Sequence, residues 1–112
     1  MKKSLTKYSN QRIKKICQAS GNFNKLIKRK HSQTLLELIY KHAQEINQLY
    51  QQKNKHYIIE TGDLLVLCLE LIKESKGNTD FILDKCYARY DHKLKFLIEE
   101  YKKKKRKNNH ES

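Results

Sequence analysis

Apolar and polar positions repeat along this chain with the 3.6-residue period of a helix, and no segment alternates at the period of a strand. Residues 57–76, YIIETGDLLVLCLELIKESK, form the most apolar stretch, and the pattern predicts a helix there. It carries four carboxylates, Glu60, Asp63, Glu70 and Glu74, which fall within about 80° of one another on a helical wheel. The opposite arc holds Leu64, Leu65, Val66, Cys68, Leu69 and Ile72. That arc is expected to pack, leaving an acidic seam that is either wet surface or a site.

The helix before it is expected over about 33–52, with a capping box at Thr34-x-x-Glu37 or an earlier start at Ser32. Leu35, Leu38, Ile39, Ala43, Ile46, Leu49 and Tyr50 make its apolar face. His42 projects from the middle of that face and Glu45 lies at its edge, whereas Glu37, Lys41, Gln44 and Gln48 point outward. Residues 4–19 predict a weakly amphipathic helix through Leu5, Tyr8, Ile13, Ile16 and Cys17, ended by Ser20-Gly21-Asn22. Gly77 marks the end of the acidic-seam helix. One of Asn78, Thr79 or Asp80 then caps a last helix over about 80–104, whose Leu83, Tyr87, Tyr90, Leu94, Leu97 and Tyr101 form a coiled-coil-like seam. Proline is absent and glycine occurs three times, so few turns are marked. The fold expected is all-α, a bundle of four to five helices completed by dimerisation.

Charge divides the chain. The net +13 comes from residues 1–36, with ten Lys/Arg and no Asp or Glu, and from KKKKRK at 102–107. Residues 37–101 carry nine basic and eleven acidic residues, a balance of −2. The division expected is a basic helical arm over 1–30, a helical domain over 31–101 and a basic, disordered tail over 102–112. Basic flanks attract polyanions, nucleic acid among them, or else merely solvate the chain ends. Cys17, Cys68 and Cys86 show neither CxxC spacing nor an even count, which suits a reducing compartment. No run reaches the roughly 18 apolar residues of a membrane span, and the basic start is followed by no apolar region. A cytoplasmic location is expected.

Glu60 and Asp63 are one helical turn apart, and His42 and Glu45 repeat that spacing on the helix before. A short connection requires these helices to be antiparallel, which can bring the two pairs across one gap, as in metal sites of other helical bundles. The bland alternative is equally physical: Glu60 suits the positive end of its helix, Asp63, Glu70 and Glu74 make a solvated stripe, and His42 is a buried histidine with a partner.

The order His42-Ala-Gln-Glu45, fourteen residues, then Glu60-Thr-Gly-Asp63-Leu-Leu resembles the ExxE, spacer and ExxD of the all-α nucleoside triphosphate pyrophosphohydrolases, the MazG-like and phosphoribosyl-ATP pyrophosphohydrolase proteins. ARYDHKLKFLIEE is similar to the MazG-like closing helix, so the resemblance spans about 33–100. It implies magnesium held by Glu45, Glu60 and Asp63, with His42 as an outer ligand or water-orienting base. It implies a basic strip, Lys85, Arg89 and Lys93, at the substrate phosphates, and a homodimer or tetramer. The reaction implied is cleavage of a nucleoside triphosphate, or a related nucleotide, to the monophosphate and pyrophosphate. The pattern departs where His42 and Lys41 stand in place of acidic residues, and where no asparagine lies near Tyr87. An imidazole suits softer metals, so manganese is a further expectation. The alternative function is a catalytically lapsed module that binds nucleic acid or an acidic partner through its basic flanks.

Overall fold

In the computed structural model the backbone is described for residues 5–111 and the side chains for 11–108. Among the described residues the chain is all-α: α1 (Leu5–Leu26), α2 (His31–Gln51), α3 (Tyr57–Glu74) and α4 (Thr79–Glu111). It divides into two compact units, Met1–Thr79 and Asp80–Ser112, each described by itself.

In the first unit α2 and α3 form the antiparallel hairpin that their short connection demands, and α1 packs against both. Ile13 of α1 and Leu35 of α2 are the buried apolar side chains, with Asn24, Glu70 and Thr79 buried beside them. Leu5 and Tyr8 lie outside the described side chains. The break expected at Ser20-Gly21-Asn22 is absent, and α1 continues to Leu26. A mid-helix glycine costs only about 1 kcal/mol. Continuing the helix sets Asn24 about one turn beyond Ser20, where its side chain is buried against the start of α2.

α2 begins at His31, ahead of the expected start, and Lys30 stands at the N-cap without a side-chain cap. Thr34 instead donates its hydroxyl to Lys30 O at 2.9 Å, so the capping box does not form. α3 ends at Glu74, and the left-handed residue beyond it is Lys76 (φ 61°), not Gly77. Lys28 and Lys53, past α1 and α2, adopt the same conformation. Lysine is a costly choice there, because its Cβ crowds the following carbonyl.

The orientation of α3 corrects the sequence reading. Its carboxylate side faces the other helices: Glu70 is only 3% exposed, whereas Leu65 is 58% exposed and Ile58 and Ile59 match it. The seam is divided: Glu60 and Glu70 are packed, while Asp63 and Glu74 stay exposed.

α4 forms the second unit, 33 residues and about 50 Å long. It stays helical through 102–107, where a fraying tail was expected. Its seam residues Tyr87, Tyr90, Leu94, Leu97 and Tyr101 are exposed within this chain. No helix among the described residues is long and apolar enough to cross a membrane.

Candidate metal centre

The antiparallel register of α2 and α3 places His42 opposite the first turn of α3. His42 Nδ1 lies 2.6 Å from Glu60 Oε2. A carboxylate only accepts, so Nδ1 carries the proton and donates in this arrangement. One turn on from Glu60, Asp63 completes a group of three: one ligand atom each from His42, Glu60 and Asp63 lies within 4.8 Å of the others. His42 and Glu60 are mostly enclosed, at 23% and 15% side-chain exposure, while Asp63 is open to solvent.

Glu45 stands outside that group but close to Glu60, within reach of a side-chain hydrogen bond to it. The hydrogen bond from His42 is the main cause that holds the Glu60 carboxyl below its ordinary value. Partial desolvation opposes it, while Glu45 and the charges of His42 and His56 reinforce it. Glu60 is thereby kept ionised, the form a cation needs.

Sequence reasoning passed over His56. Its Nε2 lies 3.5 Å from Glu60 Oε1, four residues along the chain, so one carboxylate is flanked by imidazoles on both oxygens. The signal was the i, i+4 spacing of His56 and Glu60 across the helix start, which the placement of residues 53–56 in a polar connection concealed.

Lys85, Arg89 and Lys93 share an exposed strip of α4, in the second unit. Lys85 Nζ sits 5.3 Å from the Phe81 ring centroid, a cation–π arrangement, and Arg89 and Lys93 line a shallow surface depression with Cys86, Tyr90 and His92. The strip is thus exposed and basic, as a phosphate-contacting surface must be.

Glu70 and Glu74, expected on the wet stripe, face a second histidine. His31 Nε2 lies 3.8 Å from Glu70 Oε1 and 3.6 Å from Glu74 Oε2. Asn24 Nδ2 donates to His31 Nδ1 at 2.8 Å, which fixes the tautomer with Nε2–H toward the two carboxylates.

The three convergent donors suit a divalent cation, since two carboxylates supply charge and the exposed Asp63 leaves a way in. They suit magnesium less well, because that ion prefers six oxygen ligands. No family model, curated protein or solved structure matches the chain.

Proposed function

We propose that this protein is a divalent-metal-dependent nucleotide pyrophosphohydrolase, cleaving a nucleoside triphosphate or related nucleotide to the monophosphate and pyrophosphate. The observation that carries the reading is the convergence of His42, Glu60 and Asp63 across the α2–α3 gap. These are residues that the MazG-like spacing singles out, and nothing in the local chemistry of either helix alone requires them to meet. Magnesium or manganese, when bound, would neutralise phosphate charge and acidify a water for attack.

This chain's own residues supply the rest. Glu60 and Asp63 hold the cation on one helix turn. His42 orients Glu60 through its Nδ1–H, and Glu45, beside Glu60, is placed to orient a water. Lys85, Arg89 and Lys93, in the second unit, offer an exposed basic strip suited to contacting phosphates. Exposed apolar residues on α3 (Ile58, Ile59, Leu65) and α4 (Tyr87, Tyr90, Leu97) support association with a second copy, which would bury them.

The test is pyrophosphate release from a panel of nucleoside triphosphates with magnesium or manganese. Release that is lost in Glu60→Gln and Asp63→Asn is the expected result. No release with either metal, together with activity gained by His42→Glu, would identify a lapsed site instead.

The helical run of lysines at 102–107 favours a second reading, a non-catalytic module that binds nucleic acid. Exposed Lys102, Lys103, Lys104 and Lys105 turn around a full circumference of α4, a display suited to phosphate backbones rather than to base edges. Binding steeply weakened by salt and indifferent to sequence is its signature.

A further inference from the structure

We infer that the metal centre selects a first-row transition ion such as zinc over magnesium, with His56 as its second nitrogen ligand beside His42, Glu60 and Asp63. The inference rests on reading this group as a cation site, and not on the hydrolysis proposed for it.

Geometry comes first. His42 and His56 approach different oxygens of the same carboxylate, at 2.6 Å and 3.5 Å. The first is a hydrogen bond. The second lies at the long limit of one and is too long to be strong. It is close to the roughly 3.4 Å between neighbouring donor atoms on one ion with bonds of about 2.1 Å at tetrahedral angles. His56 stands outside the group formed by His42, Glu60 and Asp63, so its imidazole must turn toward them to complete the set.

His56 is also free to turn. It occupies the N-cap position of α3, yet its side chain makes no cap hydrogen bond. The connection is held instead through its backbone, with His56 N–H donating to Asn54 Oδ1 at 3.0 Å. The imidazole, 56% exposed, is therefore anchored at its root and held at its tip only by the long contact to Glu60.

Donor chemistry then decides the ion. Two imidazoles and two carboxylates make a complete four-coordinate set of the kind zinc takes, whereas magnesium binds nitrogen poorly and keeps several waters. The other histidine–carboxylate cluster does not compete for this role. His31 is tied at Nδ1 by Asn24, and Glu70 and Glu74 do not converge with it as His42, Glu60 and Asp63 do.

The experiment is calorimetric titration of the full-length protein with zinc, manganese and magnesium salts, repeated on His56→Ala, Glu60→Gln and His31→Ala. Zinc binding at least about 100-fold tighter than magnesium is expected. His56→Ala should weaken zinc at least about tenfold and leave magnesium binding and thermal unfolding unchanged; Glu60→Gln should remove the site, and His31→Ala should keep it. Cobalt substitution gives a second readout, an intense four-coordinate visible spectrum that collapses in His56→Ala. Magnesium binding as tight as zinc, or zinc binding indifferent to His56→Ala or to Glu60→Gln, overturns the inference. Tight, His56-dependent zinc binding without pyrophosphate release under any metal upholds it while defeating the enzymatic reading. Pyrophosphate release with magnesium alone, undiminished in His56→Ala, does the reverse.

Discussion

α2 sets a histidine against glutamates of α3 twice, at His42 with Glu60 and at His31 with Glu70 and Glu74. The two places are eleven residues apart on α2, about 16 Å along one antiparallel hairpin, and their surroundings are opposite. At His31 the cluster is closed: Glu70 is buried, α1 covers it, and Asn24 occupies the remaining ring nitrogen. At His42 it is open: Asp63 is exposed, His56 is loosely placed, and Nε2 of His42 has no hydrogen-bond partner among the described contacts. The same pair of residue types therefore serves packing in one place and offers itself to a ligand in the other. What separates them is a third helix.

Substitution should split the two clusters cleanly. Glu60→Gln at the open cluster is expected to lower metal-dependent pyrophosphate release by at least about 100-fold, with a smaller loss of stability from weakening the hydrogen bond of His42. At the closed cluster, His31→Ala leaves a cavity beside the buried Glu70 and strips the buried Asn24 of its partner, and should cost about 2 kcal/mol by chemical denaturation, while residual activity per folded molecule persists. Replacing His31 and Glu70 together with leucines should recover much of that loss, because no charge is then left uncompensated. A double variant as unstable as the sum of the single ones would show that the two side chains do not act as a pair.

Acid separates the clusters next. The folded-state Glu60 carboxyl is held below its ordinary value, chiefly by the hydrogen bond from His42. A carboxyl depressed on folding stabilises the fold fully above its unfolded value, near 4.3, and that contribution is lost as pH falls through the lower folded value. The stability difference between the native chain and Glu60→Gln should therefore be flat from about pH 5 upward and shrink in more acidic buffer. Denaturation curves that keep the same separation at every pH would show that His42 gives Glu60 no special hold.

The sequence made the helices legible because their apolar spacing is local, and α3 in particular matches its expected span to within two residues. It made His42, Glu60 and Asp63 legible for a different reason. Two one-turn pairs on helices joined by a short connection have few places to go except opposite each other. The same reasoning misassigned Glu70, which the wheel places on the same side as Glu60. The wheel was right about the side, and Asp63 and Glu74 are exposed there, but Glu70 is buried. Hydropathy cannot reveal that a glutamate is buried when its partner, His31, lies at the far end of another helix and is itself oriented by Asn24 on a third. Gly21 misled in the same way: the breaker signal is local, and the buried Asn24 that outweighs it is not. Residues 102–107 were misread because like charge argues against helix, yet lysine is a good helix former and α4 carries the run onward.

The smallest effect is also the most discriminating test of the open cluster. Gly21 and Gly62 both sit within helices, and a Cβ built on either meets nothing within 4 Å. Alanine at either position should stabilise the fold by about 0.5–1 kcal/mol, because it narrows the unfolded ensemble and fills no occupied space. Gly21 is the control, on α1 and apart from the group of His42, Glu60 and Asp63. Gly62 lies between Glu60 and Asp63 in the chain and about 100° around the helix from Asp63, so alanine there tests whether a bound nucleotide reaches that far around α3. If both variants gain stability but only Gly62→Ala raises the KM for nucleotide, the missing side chain at 62 is room for a ligand. If both gain stability and turnover is untouched, Gly62 contributes nothing to the site beyond its place in the helix, and the open cluster must admit its ligand from the Asp63 side alone.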